Sequence, residues 1–285
     1  MTLILALTCK DAVVMAADSQ ATEVQGGNVL AGVRHDVEKL RQVGPNILWG
    51  ASGSVGVIQD IGVALEEWAA ANPEKLNDQA RRLKPEFVRV VAPVLRNAYA
   101  AYIQVPGRQP NPPMTSLLFA GRTAGGRWIM ELEENGGAEF KDSGFAAIGS
   151  AFHFANVAAA MLKEYSASTR ELMHGQILAL RILETAVTAA AFGVGGALRL
   201  AVVGPDGSKI LDEDEVAVVR DQLDGWRQAE AETLEELVLR KPEAAMVPGP
   251  PEPAEVATDN AVPGEKNPGP GVPVMVKNAD EVPQA

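Results

Sequence analysis

The chain has 285 residues, 47% of them apolar and only 5% aromatic, which is enough to bury a sizeable core in one large domain. With 25 Lys and Arg against 37 Asp and Glu the net charge is −12, which argues against nucleic acid or an anionic membrane as the main partner. A single cysteine excludes an internal disulfide framework, the 3 histidines are dispersed without metal-ligand spacing, and no apolar run is long enough to span a bilayer.

In chain order, Leu3–Cys9 is apolar on both alternating faces, as a strand covered on both sides reads. A turn at Lys10–Asp11 leads into a second such strand, Ala12–Ala17, so the chain opens with a hairpin. The Gly-rich stretch VQGGNVLAG is expected as a loop, followed by short strands around Glu38–Val43 and Asn46–Gly50. GASGS at 50–54 reads as a turn feeding a helix, with Val55, Ile58, Ile61, Leu65 and Trp68 at helical spacing and Ser52 or Ser54 as cap. A second helix is expected over about 77–103, kinked at Pro85 and Pro93.

Strands resume at 115–121, 127–132 and near 145–149, then helices over about 151–167 and 169–191. The strand ALRLAVV, the turn GPDG, the short strand SKIL and the acid-led helix DEDEVAVVRDQL complete the pattern. This order suits an α+β fold: a four-layer αββα sandwich of two antiparallel sheets flanked by helix pairs. About half of the 19 prolines fall in residues 241–285 among Glu, Gly and Asn, so a domain over 1–240 with a disordered tail over 241–285 is expected. The N-terminus lacks the charged and cleavage regions of a secretory signal, and a cytoplasmic protein is expected.

Thr2 stands directly behind Met1. Removal of Met1 would place a free α-amine and a hydroxyl on one residue, which is either a catalytic device or an ordinary β-branched residue starting a strand. Aminopeptidases generally remove the initiator methionine before a small side chain, so a chain beginning at Thr2 is expected.

Thr2, KDAVVMAADSQAT, VEKLRQVG, GASG before a helix, AIGSA before another, and GGALRLAVVGPDG before an acidic terminal helix occur in that order. Over about residues 2–235 the chain thereby resembles proteasome β-type subunits, N-terminal nucleophile hydrolases that also include the HslV-like bacterial peptidases. The resemblance implies that fold and a threonine-type endopeptidase acting on unfolded polypeptides without metal or cofactor. It also implies a homo-oligomeric ring and an ATP-dependent unfoldase as partner. Thr2 would be the nucleophile and its amine the general base, acting through a water.

Asp18 would pair with a lysine whose charge lowers the nucleophile's pKa. Read alone, Asp18 is equally an exposed strand-end acid. Lys39 matches the lysine position because it precedes Leu40 in the strand, whereas an ungapped count points to Arg34; choosing Lys39 puts Arg34 in an inserted loop. Gly53 would present its N–H to an oxyanion, and Ser150 would assist proton transfer; read alone, the two make a turn and cap a helix. Ala51 would line the pocket for the residue before the scissile bond.

Three positions depart from the family pattern. Ala191 stands where many β subunits have Asp and Val194 where they have Ser, while Ala151 replaces a common Gly; Gln20, in place of Arg, is shared with HslV-like sequences. The departures leave two other readings open: a catalytically inactive proteasome-like scaffold or assembly subunit, and a non-ring amidase or peptide ligase of the same class.

Overall fold

Leu3, Leu5 and Leu7 face one side of the first strand while Ile4 and Ala6 face the other, the period-2 alternation of a pleated strand. A strand apolar on both faces has to be covered on both, and the layers of the molecule follow from that. The computed structural model describes residues 2–25, 28–105, 114–190 and 194–239, with the backbone alone for 22–25 and 28–35. The unit described below ends at Glu235, and beyond it the described residues are the last few of the terminal helix.

The chain begins with β1 (Ile4–Thr8), β2 (Val13–Asp18), β3 (Gln20–Gln25), β4 (Asn28–Asp36), β5 (Leu40–Gln42) and β6 (Ile47–Ser52). Helices α1 (Val55–Ala71) and α2 (Ala80–Ile103) follow, then β7 (Ser116–Thr123), β8 (Gly126–Leu132), β9 (Ala138–Phe140) and β10 (Phe145–Ile148). Helices α3 (Phe152–Met161) and α4 (Leu172–Ala189), strands β11 (Leu198–Gly204) and β12 (Gly207–Ile210), and α5 (Glu213–Leu239) complete it.

Two five-stranded antiparallel sheets form, ordered β10-β1-β2-β11-β12 and β5-β6-β7-β8-β9, with β3 and β4 paired beside them. Three apolar clusters fill the spaces between layers. Ile4, Met15, Leu48, Leu118, Ile129 and Val203 lie between the two sheets. Leu5, Val14, Leu180, Leu183 and Val219 join the first sheet to α3, α4 and α5. Trp49, Phe119, Ile61, Leu65 and Phe87 join the second to α1 and α2, with Phe87 stacked on Phe119 at 4.7 Å. The molecule is therefore the expected α+β sandwich of two antiparallel sheets between helical layers.

Several local expectations are corrected. The Gly-rich stretch is not a loop but the β3–β4 hairpin, in which Arg34 stands opposite Thr22. Helix α2 starts at Ala80, after a 3₁₀ turn at Pro73–Asn77, and holds Pro85 and Pro93 within one helix. Its mean hydropathy is low and its stripe of Leu83, Phe87, Val91 and Leu95 is buried, so packing outweighs the two missing backbone donors. The helix expected over 151–167 stops at Met161 and gives way to 3₁₀ turns at Lys163–Tyr165 and Ala167–Thr169. Ser54 occupies the N-cap of α1 without a side-chain capping bond. Helix α5 continues well past the expected acidic segment, held by a clasp: Arg181 on α4 donates to both carboxylate oxygens of Glu230, at 2.9 and 2.7 Å. The same guanidinium lies 4.0 Å from the Trp226 ring centroid. The expected disordered tail over 241–285 lies outside the described residues.

Candidate active site

Thr2 lies two residues before the start of β1, and Asp18 is the last residue of β2, the antiparallel neighbour of β1, with Ile4 opposite Ala17. That register brings Asp18 beside the start of the chain. Its Oδ1 accepts the Leu3 N–H at 2.8 Å, and its own N–H donates to the Leu3 carbonyl at 3.2 Å. Asp18 is fully buried, where an unpaired carboxylate would be costly. Lys39, just before β5, supplies the countercharge: its Nζ lies 2.7 Å from Oδ1, and the two side chains are 6% and 0% exposed. Lys39 Nζ also donates to the Gln20 carbonyl at 2.8 Å, and Asp18 Oδ2 accepts the Gly195 N–H at 3.1 Å. Burial holds the Lys39 pKa below the usual lysine range, against the upward pull of the Asp18 charge and hydrogen bond.

The other neighbour of β1 is β10, with Ile148 opposite Ile4, so the chain leaving β10 passes Thr2. The Thr2 N–H donates to Ser150 Oγ at 3.3 Å, and the Ser150 hydroxyl reaches the Thr2 carbonyl at 3.5 Å. Gly149 makes this approach sterically possible. Its φ is +98°, and a Cβ there would lie 2.1 Å from the Thr2 carbonyl oxygen. The expected helix cap at Ser150 is not formed; Ala151 occupies the N-cap of α3 and is buried, while the Ser150 hydroxyl faces Thr2.

Gly53 lies between β6 and α1 with φ +142°, and a Cβ there would fall 2.2 Å from the Met114 carbonyl oxygen. Thr2, Lys39 and Gly53 together line a cavity of about 360 Å³, walled by Ala51, Val55 and Ile58. The five residues singled out from sequence therefore converge on one place. Arg34 lies on β4, while Lys39 is the residue that meets Asp18. Val194 is 8% exposed within the helix-side apolar cluster, and Ala191 lies outside the described residues. Sequence reasoning missed the Leu3 and Gly195 amides that hold Asp18, and the need for Gly149. A signal for Gly149 was present in the AIGSA block, where a glycine permits close backbone approach.

Among the described residues no group of His, Cys, Asp and Glu could hold a metal ion, and no helix is long and apolar enough to cross a membrane. The family model of the proteasome subunit matches residues 2–197. The chain belongs to the proteasome subunit family. No curated protein was found to match it. Its four layers are those of the N-terminal nucleophile hydrolase fold, and membership makes it a subunit of a proteasome-like peptidase. Proteasome subunits typically form ring oligomers.

Proposed function

We propose that this proteasome subunit is a threonine-type endopeptidase, with Thr2 as nucleophile once Met1 is removed. The observation that carries the reading is the convergence at one strand end of Thr2, the buried Lys39–Asp18 pair and Ser150. In the chain with Met1 the Thr2 nitrogen is an amide and cannot act as a base; removal converts it to an amine that titrates near neutrality.

The Thr2 hydroxyl then attacks the substrate carbonyl carbon while its proton passes, through a water, to the α-amine. The charge on the carbonyl oxygen is met by the Gly53 N–H. As the C–N bond breaks, the departing amine takes the proton from the α-amine, with Ser150 relaying it. Water then hydrolyses the ester on Thr2 and restores the hydroxyl. Lys39, held by Asp18, keeps a positive charge near the hydroxyl and favours its deprotonated form. Ala51, Val55 and Ile58 give the adjoining cavity part of its lining and Glu38, Arg41 and Gln59 another part, so it suits a side chain with both apolar and polar groups before the scissile bond.

Confinement within a homo-oligomeric ring would restrict access to unfolded polypeptides, delivered by an ATP-dependent unfoldase. The inactive-scaffold reading rests on Ala191 and Val194, which put apolar side chains where an acid and a serine are usual. One experiment separates the two: hydrolysis of a peptidyl-aminomethylcoumarin by wild type and by Thr2→Ala. The peptidase reading requires turnover in the first and none in the second; equal rates, or none in either, would refute it.

A further inference from the structure

A second cavity, of about 660 Å³, meets the site at Gly53 and Ser150, and its other lining residues take no part in the chemistry above. Its lining includes the unbroken run Phe145–Ser150, which is strand β10 and the two residues after it. Strand β10 is the edge of the first sheet and pairs only with β1 among the described residues. An edge strand running along a cavity offers a row of backbone groups to an extended chain.

The remaining walls have a definite chemistry. Glu131 and Glu134 line the cavity together with Phe152 and Met114, the latter two 36% and 57% exposed. Lys141 also lines it but is held by Glu131 at 3.0 Å and by Glu139 at 2.8 Å. Glu134 is exposed and makes no ion pair among the described residues. Carboxylates beside an exposed aromatic ring suit the long stem and cationic head of Lys or Arg.

Ser150 stands at the junction of this cavity with Thr2. In the proposed reaction the departing amine collects its proton on the Ser150 side, so the fragment that leaves lies in this direction. We propose that the cavity along β10 is the subsite for the leaving fragment, which docks there as an extended strand and is selected for basic side chains by Glu134 beside Phe152, the Glu131 carboxylate being already paired with Lys141. The inference rests on the peptidase reading for its direction but not for its binding chemistry.

Binding is therefore measured without turnover, by fluorescence anisotropy on the Thr2→Ala protein. The probes are two dye-labelled octapeptides of Ala and Ser, identical except for two central Arg or two central Asp. The Arg peptide is expected to bind about fivefold tighter or more at low salt, the scale of one or two partly exposed charge contacts. Glu134→Lys should invert the preference, and Phe152→Ala should weaken the Arg peptide alone. Equal affinities, no binding of the Arg peptide, or a preference unmoved by Glu134→Lys would overturn the subsite. Coumarin-amide hydrolysis by wild type is read in parallel, since that substrate carries no residue beyond the scissile bond. Absent turnover with the Arg preference intact refutes the peptidase reading alone; turnover without the preference refutes the subsite alone.

Discussion

Asp18 is the residue on which the site's geometry depends, because both of its oxygens are occupied at zero exposure. Removing Lys39 leaves a buried carboxylate without its countercharge, facing the Leu3 and Gly195 amides. Lys39→Ala is expected to destabilise the fold by about 3–5 kcal/mol, the cost of breaking a buried ion pair from one side. Thr2→Ala should cost about 0.5 kcal/mol or less, and Arg34→Ala should change neither stability nor turnover. Urea denaturation of the three variants checks the order, and an Arg34→Ala effect equal to that of Lys39→Ala would contradict it.

The proposed chemistry also predicts a pH profile. Turnover should rise as the α-amine loses its proton, ordinarily at about 7.7–8.0, and fall as Lys39 loses its own below the ordinary value of 10.5. An alkaline limb at or above the ordinary lysine value would contradict the burial of Lys39. Because the folded pKa is the lower one, the unfolded chain binds more protons between that value and 10.5, so the Lys39 contribution to stability rises with pH there. It is lost as pH falls through the folded value. Lys39 was legible in sequence because Leu40 fixes the strand register. Leu3 and Gly195 were not, since they act through backbone amides that any residue carries.

At the scale of elements, the two covered strands were the most legible feature, because apolar residues on both faces admit few other placements. The β3–β4 hairpin was not: VQGGNVLAG reads as a loop by its glycines, and pairing of its flanks is a tertiary outcome. Helix α5 extends beyond its acidic start for a reason equally remote in sequence, the clasp of Arg181 with Glu230 and Trp226. Tyr165 adds a hydroxyl donor to Glu230 at 2.9 Å. With the ion pair 20% and 34% exposed, Arg181→Ala is expected to cost about 1–2 kcal/mol through the lost pair and ring contact together. Thermal unfolding followed by the Trp signal would show it as a drop of a few degrees, about 2–4 °C per kcal/mol for a domain of this size. An unchanged midpoint would mean that the clasp contributes nothing to the fold.

For the whole molecule, family membership and the sandwich account for a unit that ends at Glu235, and the proline-rich sequence after residue 241 is proposed to be dispensable for folding. Deleting 242–285 should leave solubility and melting temperature within about a degree of the full chain; a large drop would show that this segment packs on the core. The segment VPVMV at 272–276 lies outside the described residues, and the same deletion tests it as a docking element for a partner. Native mass spectrometry should show a closed oligomer, and a monomer at working concentration would favour the amidase or ligase reading. The central claim is the identity of the nucleophile, and the most direct test is covalent. The purified full chain should already lack Met1 and, incubated with a peptide epoxyketone, which captures a terminal hydroxyl and amine together, should carry one adduct at Thr2, with none on Thr2→Ala. Retention of Met1, or an adduct anywhere but Thr2, would contradict the account.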